Sequence, residues 1–165
     1  MPEPDPLDGG AEARLLLLLE TPGPAVGRTG LVTRDGSNGT AANLFRFLGE
    51  AGIARRDTLI WNAVPWVIHA PGALNRAPRV AEVRAGQAYL PPLLAALPDL
   101  AVVVLSGRVA GLSRGTVETL RPGLAVVAIP HPSPTIVCTS PAVPARIRAG
   151  LATAAGYLDP LSPKN

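Results

Sequence analysis

The sequence predicts an α/β domain of three layers, α/β/α, built on a central four-stranded parallel sheet. Three observations predict it. Four short apolar runs, at residues 15–19, 58–62, 100–105 and 124–129, lack the polar alternation of a half-exposed strand and read as strands covered on both faces. Segments with helical spacing stand between them. Of 165 residues, 47% are hydrophobic and 16% charged, enough to fill one sizeable core.

The elements follow in order. Residues 1–12 are rich in Pro, Gly and acid, which predicts a flexible tail before a single domain over 13–158; a second tail is predicted over 159–165. The five leucines from Leu15 to Leu19 form the first strand, broken sharply by Thr21, Pro22, Gly23 and Pro24. A Gly-rich loop runs to Gly39. Thr40 is placed to cap a helix over 41–51, with Gly52 past its end and Leu44, Phe45 and Leu48 at helical spacing. The second strand, 58–62, is stopped by Pro65. A loop with Pro71, Gly72 and Pro78 leads to a helix over about 80–97, which Pro91 and Pro92 interrupt. After the third strand, Ser106 and Gly107 lead into a short helix. The fourth strand is followed by a closing helix over 143–157, with Arg146 and Arg148 on its surface.

Composition narrows the function classes. No apolar run approaches the roughly 18 residues of a membrane span, and the opening residues lack the positive region of a signal peptide. The lone Cys138 excludes an intramolecular disulfide and a four-cysteine iron–sulfur or zinc site. A cytoplasmic protein with neither metal nor cofactor is expected. The net charge of +3 hides an asymmetry: residues 1–12 carry four acids and no base, leaving fifteen bases against eight acids in the rest. Fourteen of those bases are arginine, the residue suited to phosphate contacts, although no dense basic run demands nucleic acid.

In a parallel sheet the loops leaving the carboxyl ends of the strands converge on one edge. Residues 20–24, 62–66, 106–108 and 131–134 are therefore expected to meet. His131 leaves the fourth strand in a loop stiffened by Pro132 and Pro134, and an imidazole at such an edge is suited to chemistry. The converging set holds one acid, one amide, one imidazole and one arginine. It holds no Ser–His–Asp arrangement, and the chain has no P-loop and no G-x-S-x-G motif.

Those loops, in that order, resemble the uracil-DNA glycosylase superfamily over about residues 14 to 157. The first motif of that family follows strand one as G-Q-D-P-Y, G-E-x-P-G or G-x-N-P-G; here it reads Leu19, Glu20, Thr21, Pro22, Gly23, Pro24. The family's uracil-reading asparagine ends strand two, matching Asn62. Its last motif, H-P-S-P, is whole at His131, Pro132, Ser133 and Pro134. There are departures. Thr21 stands where one branch has its water-positioning aspartate. Glu20 matches the glutamate of another branch whose iron–sulfur cysteines are missing here. The phenylalanine that stacks on the base has no evident counterpart, with Ser37 and Asn38 near its place.

The resemblance implies an enzyme that flips uracil out of DNA and hydrolyses its N-glycosidic bond, leaving an abasic site and free uracil, as a monomer without metal or cofactor. His131, Asn62 and Glu20 are the implied catalytic residues. Thr21, Pro22, Gly23, Asn38 and Asn62 are the implied uracil pocket. Ser106, Gly107, Arg108, Pro132, Ser133 and Pro134 are the implied DNA contacts. His131 donates to uracil O2, provided that a backbone carbonyl holds its other nitrogen. Asn62 pairs with O4 and N3–H, and Glu20 positions water or opposes the cationic sugar. Thr135, Ile136 and Val137 offer an apolar wedge, and Trp66 and His69 offer pocket walls or a surface to stack on a base. Taken singly, the same residues have plainer readings: Asn62 as a strand-end turn residue, Glu20 as a solvated charge, Ser106 as a helix cap, and 135–137 as loop packing. Trp61, Phe45 and Phe47 read as core, and Cys138 has no assigned role. Two rival functions stay open. One is a glycosylase for another deaminated or mismatched base. The other is a non-catalytic nucleic-acid-binding protein of this fold, or an unrelated nucleotide-binding domain.

Overall fold

A computed structural model describes residues 1–24, 26–70, 73 and 76–159. The expected loop at Pro71 and Gly72 and nearly all of the expected C-terminal tail lie outside the described residues. In chain order the strands are β1 (Glu3–Pro4), β2 (Leu15–Leu19), β3 (Leu31–Val32), β4 (Thr58–Asn62), β5 (Val102–Ser106) and β6 (Ala125–Ile129). The helices are α1 (Val26–Thr29), α2 (Gly39–Glu50), α3 (Val80–Gln87), α4 (Leu90–Ala95), α5 (Gly107–Gly111), α6 (Arg114–Leu120), α7 (Pro134–Val137) and α8 (Ala142–Gly156). The main sheet has four strands, all parallel, in the order β4-β2-β5-β6.

The leucine run explains the layers. Side chains alternate across a strand, so Leu15, Leu17 and Leu19 pack with Leu44, Phe47 and Leu48 of α2 and with Ile147 and Leu151 of α8. Leu16 and Leu18 pack on the other face with Leu90 and Leu94 of α4 and with Ala110 and Val117. Each leucine of β2 is buried, and each such burial contributes about 2 kcal/mol. A strand covered on both sides has no use for polar alternation, which is why the run is continuous. This is the three-layer α/β/α arrangement read from the sequence.

Several boundaries differ from expectation. The first long helix begins at Gly39, and its cap is Asn38, not Thr40: Asn38 Oδ1 accepts from the Ala41 N–H at 2.9 Å. The helix ends as expected. Gly52 adopts φ +68°, its N–H bonds Gly49 O, and Ile53 N–H bonds Leu48 O, which closes a Schellman turn. Phe47 rather than Phe45 faces the core; Phe45 is exposed. The helix expected over 80–97 is two, α3 and α4, with Pro91 and Pro92 in the first turn of α4, where their missing N–H groups cost nothing. The third strand starts at Val102, because the Ala101 and Val102 N–H groups both turn to Arg14 O, and it runs on to Ser106.

The acid-rich start is not a loose tail in this structure. β1 pairs in parallel with β3. Behind it, Arg55 forms ion pairs with Asp5, with Asp8 (3.0 Å) and with Asp35 (2.6 Å), while Arg34 lies 3.6 Å from Asp8. The Asp8 side chain is fully covered. Asp5 and Asp8, which the sequence reading placed in a flexible tail, are counter-charges of two arginines held far along the chain.

Candidate active site

The order β4-β2-β5-β6 reverses direction beside β2, and a crevice at the carboxyl ends follows from it. A cavity of about 870 Å³ opens there, within the range of roughly 300–1,000 Å³ usual for small-molecule sites. Glu20, Asn62, Arg108 and His131 all line it. The four loops expected to converge do so.

Asn62 is the last residue of β4, opposite Leu19 in the ladder, and the Ala63 N–H to Leu19 O bond (2.8 Å) continues the pairing past it. Two residues after Ile60, it shares the face of the sheet that packs on α2. Its side chain is buried, and its Oδ1 has no hydrogen-bond partner among the described residues. A buried amide oxygen left unpaired costs roughly 1–3 kcal/mol. A polar atom held in that state beside a cavity is poised to accept from a ligand.

His131 follows β6 by two residues and is half-buried. Its Nδ1 accepts from the Ser133 N–H at 3.1 Å. An Nδ1 that accepts carries no proton, so the neutral ring carries its proton on Nε2 as a donor. The partner is a backbone amide, not the backbone carbonyl that was expected; the amide selects the donor tautomer at Nε2. Burial lowers the pKa of the imidazole and so favours the neutral form. Glu20, within the first motif, is half-buried. Burial raises its pKa, and the charge of Arg108 pulls against that rise.

Tight contacts hold the histidine loop. A Cβ on Gly107, whose φ is +88°, would sit 3.0 Å from His131 Cβ, and a Cβ on Gly39 would sit 2.3 Å from Pro134 Cγ. Only glycine accepts both the backbone and the approach at position 107.

Other expected site residues fall into place unevenly. Thr21, Pro22, Gly23 and Asn38 line the cavity, although the Asn38 Oδ1 is committed to capping α2. Gly107, Ser133 and Pro134 stand at its rim with Arg108. Ser106 and Pro132 are corrections: both are buried, Ser106 completely, so neither is offered to a phosphate. Residues 135–137 belong to the one-turn helix α7, with Ile136 exposed at the cavity. Trp66 and His69 are also corrections, since neither lines the cavity; Trp66 packs on Tyr89 with ring centroids 5.9 Å apart. Trp61 packs against the core, as expected. No Phe, Tyr or Trp side chain lines the cavity among the described residues.

Three contributions were not read from the sequence. Leu31 and Val32 of β3 supply an aliphatic wall. Arg76 reaches the rim while its guanidinium is held by Glu82 (2.6 and 2.8 Å) and by Ile68 O (2.6 Å). Asn43 Nδ2 donates to Pro132 O at 2.8 Å.

A family model described as the uracil DNA glycosylase superfamily matches residues 6–151. The chain belongs to this superfamily. No curated protein sequence matches it. As a superfamily member it is a DNA glycosylase, a hydrolase of base excision repair whose substrate is DNA. In this glycosylase the match spans every strand of the main sheet and all four converging loops. Among the described residues no helix is long and apolar enough to cross a membrane.

The packing of Gly107 on His131 yields a direct prediction for the glycosylase. Gly107→Ala forces a side chain into the left-handed region and pushes on the imidazole. We expect a stability loss of about 1–3 kcal/mol in a denaturant titration and a fall in base release of roughly tenfold or more, since misplacement by about 1 Å is costly. A variant with wild-type turnover would show that the contact does not position His131.

Proposed function

We propose that this glycosylase excises uracil, with Asn62 reading the base and His131 stabilising it as it leaves. The observation that carries the reading is the pairing of two complementary groups in one cavity. Asn62 presents a buried Oδ1 with no partner among the described residues, and His131 presents a neutral ring with its proton on Nε2. Uracil offers an N3–H donor to the first and O2 and O4 acceptors to the second and to Asn62 Nδ2. Cytosine offers an acceptor at N3 and a donor at N4. It meets a fixed amide with its pattern reversed, and the mismatch leaves buried groups unpaired.

The chemistry follows from charge. A base inside a duplex must be flipped out to reach the cavity. As the bond between C1′ and N1 breaks, its electron pair goes to the base and negative charge builds on O2, where the His131 Nε2–H donates. Positive charge builds on the sugar, opposite the Glu20 carboxylate. Water adds to C1′, and its proton passes to Glu20 and on to solvent. Thr21 has no carboxylate and serves with Pro22 and Gly23 as pocket wall. With no Phe, Tyr or Trp lining the cavity among the described residues, aliphatic groups such as Leu31 and Val32 take the place of a stacking ring. Gly107, Arg108, Ser133 and Pro134 at the rim are suited to backbone phosphates. Exposed Cys138, with no pairing partner in the chain, fits a reducing cytoplasm, and we take the enzyme to act as a monomer there.

A labelled oligonucleotide with one uracil, single-stranded or opposite guanine or adenine, tests this. Alkali should cleave it at the uracil after incubation with the protein. Thr21 and the aliphatic cavity favour a second reading, a glycosylase for another deaminated or mismatched base. Cleavage at hypoxanthine or at thymine opposite guanine, with uracil left intact, would replace the first reading by the second. Band retardation with no alkali-labile site on any substrate would leave a binding protein.

A further inference from the structure

The peptide bond between Pro132 and Ser133 is hydrogen-bonded at both ends. Its carbonyl accepts from Asn43 Nδ2 at 2.8 Å, and its N–H donates to His131 Nδ1 at 3.1 Å. The two groups belong to one rigid plane, so turning one turns the other. Asn43 itself is oriented: its Oδ1 accepts from Arg46 Nη2 at 3.1 Å, which leaves Nδ2 facing the loop. Asn43 and Arg46 lie one turn apart on α2, a helix capped at both ends and anchored in the core through Leu44, Phe47 and Leu48. The chain of donors therefore runs from a fixed helix, through one peptide plane, to the ring.

We propose that Asn43 is a positioning residue that sets the tautomer and aim of His131 through the Pro132–Ser133 peptide. The proposal rests on the reading of His131 as the donor to the departing base. Its physical basis is simple. Pro132 is buried, so its carbonyl has few partners other than Asn43. When that donor is lost the peptide plane is free to rotate, the Ser133 N–H leaves Nδ1, and the ring is free to hold its proton on Nδ1. The atom facing the base is then an acceptor, which repels O2 instead of stabilising it. A donor on the carbonyl also polarises the N–H of the same peptide, strengthening the second bond.

The test uses the full chain with ¹⁵N-labelled histidine. Only His69 and His131 give ring signals, and a His69→Gln variant assigns them. In the wild type, long-range proton–nitrogen spectra near neutral pH should show His131 as a single neutral form protonated on Nε2. In Asn43→Ala and Asn43→Asp the Nδ1 and Nε2 shifts should move toward each other as the tautomers mix. Base release should fall roughly tenfold in kcat, with KM changed less than about twofold. Asn43→Asp matches the wild type in size and shape, donates no proton and adds a negative charge, so it carries the readout where the alanine variant fails to fold, with mixing of the neutral tautomers, rather than a protonated ring, as the expected change. Unchanged His131 shifts in a folded variant would overturn the proposal, whatever the activity. A wild type with no activity on uracil but with the tautomer lost in the variants would overturn the uracil reading and leave the positioning role standing.

Discussion

His131→Ala is expected to lower uracil release by about two to three orders of magnitude, the loss typical when one preorganised donor to a developing anion is removed. The fold should survive. Among the described residues the ring accepts one hydrogen bond, from the Ser133 N–H, and it stands at the edge of the sheet rather than in its core. The melting temperature should move by only a few degrees while single-turnover cleavage collapses. A rate within threefold of wild type would remove His131 from the chemistry. The same residue predicts an acid limit. Burial lowers the imidazole below its usual 6.5 and raises Glu20 above its usual 4.5. As pH falls, a proton on Nδ1 displaces the Ser133 N–H, and a proton on Glu20 removes the charge opposite the sugar. Both losses run in the same direction, so activity should fall with acid, the His131 limb lying below that of an ordinary imidazole and the Glu20 limb above that of an ordinary carboxylate. In Glu20→Gln the remaining activity should keep only the limb that belongs to His131.

Asn62→Ala should separate activity from stability. Oδ1 has no partner among the described residues, so truncation breaks no hydrogen bond at that atom and relieves a buried orphan. Stability should hold or rise slightly, by less than about 1 kcal/mol. Uracil release should drop roughly a hundredfold, because the groups that read N3 and O4 are gone. A purely structural asparagine would give the reverse: a less stable protein with its activity intact. Denaturant unfolding measured beside kcat/KM decides between them.

The main sheet was legible because β2, β5 and most of β4 are buried on both faces, and double burial writes itself as unbroken apolar runs. The converging edge was legible for the same reason, since parallel strands fix which loops meet. Asn62, Glu20 and His131 could be placed in one cavity from that alone. What was not legible depends on partners distant in sequence. Asp5 and Asp8 read as part of a flexible tail because Arg34 and Arg55, which neutralise them, follow more than 25 residues later. The two-residue strand β3 carries no periodicity of its own and is defined by its pairing with β1. Ser106 sits one residue on the buried side of the strand–loop boundary, and a shift that small decides whether a hydroxyl meets solvent. Asn43 gave no sign at all. A polar residue beside Leu44 on a helix reads as surface until Pro132 is seen next to it.

β1 stands outside the main sheet, yet the strand it braces walls the cavity. A fragment trimmed to the stretch that matches the family would start at residue 6 and keep every group that touches the base. It would also cut away Glu3 and Pro4, and with them the brace behind Leu31 and Val32. The first residues to preserve in any shortened version of this enzyme thus line none of its cavity themselves.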